Sequence, residues 1–239
     1  VQTLYSVLDN TRYRIVDTAK GKRLEVHPGG GTCPDGSDCV PAPTALGDGV
    51  VNAKLAAQKI TAVGSTYAKV DATDELKKET WANYNGWYLD LPAVGERLLK
   101  PLEFYDGSNI LAMYSQVPAK GTDVDPNVES CESSTVDEER QYLTLINIMD
   151  GKRPTVQLMD YDGNGKFYTP PESGPNPCPT CGDDKSVSRQ QVTKGPHTLI
   201  RKEGGSGSCL NVDIDAKNNK TPYACMPEQS LRPSWRQLK

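Results

Sequence analysis

Asn85-Gly-Trp-Tyr-Leu-Asp-Leu-Pro92 decides the reading of the fold. In an extended chain successive side chains point to opposite faces, so Trp87, Leu89 and Leu91 line one face and Tyr88 and Asp90 the other. One apolar and one polar face make a half-buried strand, with Trp87 in a core. Pro92 ends the ladder because it has no N–H to give. The same alternation, enriched in β-branched residues, marks runs at 3–8, 55–63, 66–70, 81–91, 97–104, 109–117, 141–148, 155–160, 197–201 and 210–214. Asp106-Gly107 and Asp150-Gly151 lie between such runs and signal tight antiparallel hairpins. Residues 72–80 alone read as a helix, with Asp71 or Thr73 as its cap and Glu75, Lys77, Lys78 and Glu79 on its surface. Glu96 and Arg97, just after a turn, are placed for a local ion pair. The expected class is all-β: antiparallel hairpins, long loops and one short helix.

Three stretches interrupt the strands, at 28–49, 120–139 and 169–194. Long loops of this kind run over a surface and carry binding function or disorder. Hairpins spaced about 40 to 50 residues apart suit propeller blades, with a β-sandwich as the competing architecture. The 239 residues are enough for one large domain or two small ones. Gly 21 and Pro 18 make the chain rich in turns without reaching the composition of a disordered segment. Tyr 11 outnumbers Phe 2, so most large side chains carry a hydroxyl that needs a partner or water. A net charge of −4 without long blocks of one sign argues against nucleic acid as a partner, since phosphate binding needs a concentrated basic footprint. No run approaches the ~18 apolar residues of a membrane-spanning helix. The chain begins at Val1 without a signal peptide, which reads as a processed piece of a longer precursor.

Seven cysteines stand against two histidines, His27 and His197. Only Cys178-Pro-Thr-Cys181 has the tight spacing of a zinc half-site, and no second pair completes four ligands. An oxidised framework is the better reading. Cys33 and Cys39 bracket a Pro/Gly/Asp turn, Cys209 and Cys225 bracket a hairpin, and Cys178 and Cys181 close on each other. Cys131 is left over, and an odd thiol suggests a partner in missing sequence or another chain.

Asp160-Tyr-Asp162-Gly-Asn164-Gly165-Lys166 places oxygen-bearing side chains at positions 1, 3 and 5 of a loop, with glycine at 6 for the sharp turn. Lys166 can add its backbone carbonyl, which makes the first half of a calcium loop of the EF-hand kind. The closing acid is absent, because position 12 is Pro171 and Glu172 lies one further on. The competing reading is an Asp/Asn/Gly turn whose acids bond nearby amides. Asp213, Asp215, Asn218 and Asn219 form a second oxygen cluster without the turn glycine and read as an ordinary polar turn. Nucleophilic catalysis has no signature here. There is no Gly-x-Ser-x-Gly, both histidines lie in polar contexts, and Gly204-Gly-Ser-Gly-Ser208 lacks the Lys-Ser/Thr of a phosphate loop.

Three passages, in order, carry a family resemblance: Val1-Gln-Thr-Leu-Tyr-Ser-Val-Leu-Asp-Asn10, then Asn85 to Pro92 leading into Gly95-Glu-Arg-Leu-Leu-Lys-Pro101, then Leu231-Arg-Pro-Ser-Trp-Arg-Gln-Leu238. Together they resemble the C-terminal part of the PilY1/PilC family of type IV pilus tip and biogenesis proteins. The resemblance implies that residues 1–239 form the closing part of a modified β-propeller. It implies a non-enzymatic surface protein acting in pilus biogenesis, tip assembly, twitching motility and adhesion. Its place would be extracellular, at the pilus tip or the outer-membrane surface. Implied partners are minor pilins or other filament subunits, the remainder of the precursor and a host or surface ligand. A calcium-binding loop of Asp-x-Asp-x-Asn/Asp character belongs to the same expectation and falls on Asp160, Asp162 and Asn164. The alternatives are a quinoprotein-like propeller enzyme and a structural or decorating filament subunit. Fold alone does not choose among them.

Overall fold

A computed structural model of the chain describes residues 2–7, 13–26, 55–77, 80, 84–119, 138–203 and 209–227. Its strands are β1 (Thr3–Val7), β2 (Tyr13–Thr18), β3 (Gly21–Val26), β4 (Ala56–Val63), β5 (Tyr67–Ala72), β6 (Gly86–Asp90) and β7 (Arg97–Leu98). They continue with β8 (Glu103–Tyr105), β9 (Ile110–Val117), β10 (Arg140–Asn147), β11 (Arg189–Val192), β12 (Thr198–Glu203), β13 (Cys209–Ile214) and β14 (Lys220–Ala224). Among the described residues the protein is all-β. The chain divides into a smaller unit, Thr3–Lys59 with Ala72–Asp90, and a larger one built mainly from Ile60–Asp71 and Leu91–Lys239.

In the smaller unit β6 is the central strand. It pairs antiparallel with β1 from Thr3↔Asp90 to Val7↔Gly86, and parallel with β4 over Ala56↔Trp87 to Gln58↔Leu89. Trp87 and Leu89 are buried while Tyr88 is half-buried and Asp90 exposed, as the alternation requires. Gly86 lies at φ 138°, and a Cβ there would sit 1.9 Å from the Ser6 carbonyl oxygen, so only glycine lets β1 approach. β2 and β3 form a separate hairpin. The helix expected at 72–80 does not form in its described part. Ala72 ends β5, and the amides of Thr73 and Asp74 both donate to the Ala57 carbonyl, at 3.0 and 2.9 Å. The Asp74 carboxylate takes the Ala57 amide in return, at 3.0 Å. These bonds to β4 satisfy the groups that would have opened a helix.

The larger unit is built on β9 and β10, paired antiparallel over eight residues from Arg140↔Val117 to Asn147↔Ile110. Ile110-Leu-Ala-Met-Tyr114 is a continuous apolar run buried on both faces, the signature of a strand inside a layered structure. β7 and β8 pair with β9 on one side, and β11 pairs with β10 and β5 on the other. Asp106 and Gly107 both take positive φ, 54° and 61°, in the β8–β9 turn, as the Asp-Gly pair predicted. β12, β13 and β14 form a three-stranded antiparallel sheet whose Tyr223 joins the core with Tyr105, Tyr114, Leu143, Leu145 and Met159. The buried tyrosines find partners: Tyr105 donates to the Ala224 carbonyl, Tyr114 to Asp213 and Tyr223 to Gln190.

Three expectations are corrected. The run at 97–104 divides into β7 and β8 around Leu99-Lys100-Pro101, because Pro101 cannot donate to a ladder. The run at 155–160 is no strand, so the Asp150-Gly151 turn leads to no hairpin. Its groups bond in scattered directions instead, the Leu158 carbonyl to Ala224 and the Met159 carbonyl to Gln157. Glu96 does not pair with Arg97. It is fully buried, 2.7 Å from Arg189 of β11, and also accepts from Ser115 at 2.6 Å. Arg189 further donates to Thr144 and lies 4.0 Å over the Tyr142 ring.

Removing one member of a buried pair leaves the other charge without compensation. Arg189→Met should therefore lower stability by about 3–5 kcal/mol in urea denaturation. Glu96→Gln combined with Arg189→Met should recover part of that loss. A loss below about 1 kcal/mol in the single variant, the range of exposed pairs, would contradict the buried geometry.

Candidate functional site

The loop from Asp160 to Lys166 folds around its own acids. Asp160 Oδ1 accepts from the amides of Gly163 and Asn164 at 2.7 and 3.2 Å, and Oδ2 accepts from Gly165 at 2.8 Å. Gly163 and Gly165 lie at φ 73° and 75°, the conformation that lets three amides turn inward. Asp162 accepts from the Asn164 amide, and Asn164 Oδ1 accepts from the Lys166 amide at 2.7 Å. The turn reading of these residues is therefore realised, and it holds the carboxylates close together.

A second wall comes from 178–184. Cys178 and Cys181 form a disulfide with Cα atoms 5.4 Å apart. The Cys181 carbonyl accepts from Asn164 Nδ2 at 2.8 Å, the Thr180 carbonyl accepts from Lys166 Nζ at 3.4 Å, and the Asp183 amide donates to Asp162 Oδ2 at 3.2 Å. Asp184 is buried and accepts from the amides of Tyr161 and Tyr168, at 2.6 and 2.7 Å. One carboxylate oxygen from each of Asp160, Asp162 and Asp184 lies within 4.8 Å of the others. Burial pushes the Asp184 carboxyl above the usual carboxylate range, more than the backbone amides pull it down, and the charge of Asp162 adds to the rise. Three carboxylate oxygens this close are a group that could hold a metal ion. The cradle is shaped by Gly182, where a Cβ would meet Asp162 Oδ2 at 1.8 Å and Asn164 Nδ2 at 2.3 Å.

Asp160, Asp162 and Asn164 are thus brought together as the spacing suggested. Lys166 adjoins them through its amide, which donates to Asn164 Oδ1, while its ammonium reaches the Thr180 carbonyl. Glu172 is exposed and outside the carboxylate group. Asp184 is the acid that sequence reasoning missed. Its signal was the Gly-Asp-Asp at 182–184 directly after the Cys-x-x-Cys, inside a stretch already marked as a loop. The Cys209–Cys225 disulfide also forms, across the β13–β14 hairpin. Cys33, Cys39 and Cys131 lie outside the described residues, as do His27 and the passage 231–238. Asp215 collects the amides of Lys217 and Asn219 and the Thr193 hydroxyl, the polar turn expected there. His197 is buried, and its polar context persists in the fold: both ring nitrogens face oxygens, of Asp213 and of the Thr193 carbonyl. Elsewhere a cleft of about 290 Å³ is lined by Tyr67, Ala93, Tyr142 and Arg189, whose guanidinium is engaged by Glu96. No protein-family profile, curated protein or solved structure matches the chain.

Gly182 and Gly163 separate steric from conformational demands. A Cβ at Gly163 would meet nothing within 4 Å, so Gly163→Ala carries only the left-handed backbone cost, about 1–2 kcal/mol. Gly182→Ala carries that cost and a collision with the Asp162 carboxylate, and should lose clearly more stability in urea denaturation. Equal losses would contradict the close approach of the two walls.

Proposed function

We propose that the chain is an extracellular, non-enzymatic protein of type IV pili, similar to the PilY1/PilC family, acting in pilus biogenesis, tip assembly, twitching motility and adhesion. The observation that carries this reading is the pairing of β1 with β6. Two passages that resemble the family, with Thr3 of one and Asp90 of the other separated by 87 positions, are hydrogen-bonded neighbours from Thr3↔Asp90 to Val7↔Gly86. They form one structural element of the smaller unit. The all-β architecture is one that a β-propeller, as the resemblance implies, would share. Two disulfides support an oxidising compartment outside the cytosol. No described helix is long and apolar enough to cross a membrane.

In this reading calcium binds Asp160, Asp162, Asn164 and Asp184 and joins the two walls of the loop. Its chemistry there is electrostatic: it neutralises carboxylates that the fold holds together, and it stiffens a surface loop beside a disulfide. Partners at the filament tip would be minor pilins or other filament subunits, with the remainder of the precursor completing the propeller. The quinoprotein-like alternative requires a bound quinone. Absence of near-ultraviolet quinone absorbance, together with failure to reduce a dye in the presence of alcohol, would remove it.

Two measurements test the proposal. Calcium titration should raise the melting temperature, with a gain of about 2.7 kcal/mol at a hundredfold excess over Kd, and Asp162→Ala should abolish the rise. A rise unchanged in the variant would remove the metal assignment. Gold-labelled antibody to the chain should mark pilus ends on intact cells. Label confined to the cell interior, or spread along every filament repeat, would overturn tip placement and favour, in the latter case, a decorating subunit.

A further inference from the structure

His197 lies in the connection from β11 to β12, with both ring nitrogens against oxygen acceptors. Nδ1 is 2.8 Å from Asp213 Oδ2 on β13, and Nε2 is 2.7 Å from the Thr193 carbonyl at the end of β11. A carboxylate and a carbonyl accept only, so both contacts are hydrogen bonds only when both nitrogens carry protons. The side chains of His197 and Asp213 are 2% and 3% exposed, and water cannot replace either bond. The ring stacks on Tyr114 of β9, 5.3 Å between centroids, and the Tyr114 hydroxyl donates to Asp213 Oδ1 at 3.0 Å.

The charged and titratable neighbours come from every element packed around the ring. Asp213 is on β13, and Asp215 just beyond it accepts from the Thr193 hydroxyl at 2.7 Å. Lys100, in the link between β7 and β8, donates to the His197 carbonyl at 3.3 Å, lies 4.4 Å over the Tyr114 ring and pairs with Glu103 of β8. Tyr114 on β9 and Tyr223 on β14 are both held protonated, burial pushing each hydroxyl well above the usual phenol range. The Asp215 carboxyl is held down to about 2, first by the Thr193 hydroxyl and then by the Asn219 amide group, so it stays anionic.

We infer that His197 and Asp213 form an acid-stable latch, closed while the imidazole carries both protons, that fastens the β12–β14 sheet to β9 and to the end of β11. Loss of one proton leaves a ring nitrogen presenting its lone pair to an oxygen at under 3 Å in a dry site. That contact turns from attractive to repulsive, and the sheet loosens at this end. Burial alone would lower the affinity of His197 for its second proton. The hydrogen bonds to Asp213 and Thr193 and the charges of Asp213 and Asp215 outweigh it, and the group titrates above its ordinary value. A histidine raised on folding stabilises fully below its unfolded pKa of about 6.5, and the contribution disappears as pH rises through the folded pKa. The latch is closed in acid and released toward alkaline pH.

With only two histidines in the chain, ¹⁵N-histidine labelling of the intact protein gives two ring systems, and His27→Gln assigns them. His197 should show both nitrogens protonated at about pH 6.5 and a midpoint above it. Amide exchange in β12 and β13, corrected for its intrinsic pH dependence, should report an opening equilibrium that rises by up to about tenfold per pH unit between the unfolded and folded midpoints. Asp213→Asn should lower the His197 midpoint. A neutral single tautomer at about pH 6.5, or an opening equilibrium that stays flat from about pH 6 to 9, would overturn the latch without needing any variant to fold.

Discussion

The larger unit depends on burying one carboxylate and one guanidinium together. Glu96 and Arg189 are almost wholly removed from water, and neither could be there without the other. Their remaining needs are met by two neighbouring strands: Ser115 on β9, and Thr144 and the face of Tyr142 on β10. The pair therefore fixes β11 against β10 and fixes the turn before β7 against β9. A stretch as polar as Arg189-Gln-Gln-Val192 becomes an interior strand because its charge is answered from the far side of the sheet. A well-packed apolar replacement often matches such a pair in energy, whereas removing one partner alone strands the other charge.

The same principle runs through the tyrosines. A core with few phenylalanines must place hydroxyls where acceptors already exist. Tyr105, Tyr114 and Tyr223 each direct theirs to an oxygen on or near the β12–β14 sheet or β11. The interior is consequently wired as well as packed. Each such bond is modest in net energy, but an orphaned hydroxyl or carboxylate in the dry interior costs more than the bond is worth. That asymmetry makes positions such as Asp213, which receives both Tyr114 and His197, sensitive to small changes in chemistry.

Strands whose burial follows from their own alternation were legible in the sequence, as with Trp87 and Leu89 of β6 and the run from Ile110 in β9. The short disulfides at 178–181 and 209–225 were legible for the same reason, because local spacing carries them. What escaped depends on residues far away in the chain. β11 looks polar until Glu96 is placed beside it. The segment at 155–160 looks like a strand until its carbonyls are claimed by different partners. The segment after Ala72 has helical composition, yet two bonds to Ala57 decide its path. At the acidic loop, Asp160, Asp162 and Asn164 were readable as a motif, but Asp184 arrives from beyond the disulfide, where no fixed spacing announces it.

The β1–β6 ladder has a consequence for the order in which the protein is made. Thr3 bonds Asp90 across a separation of 87 residues, so β1 has no described antiparallel partner until β6 exists. The parallel step from β4 to β6 adds a second non-local pairing, with β5 between them in sequence. Closing such loops costs entropy before any contact returns it, and contacts of this range slow folding. β9 and β8, by contrast, meet through a tight turn and can pair at once. Until β6 is made, the uncharged β1, Thr3-Leu-Tyr-Ser-Val7, is an unpaired strand open to pairing with a wrong neighbour.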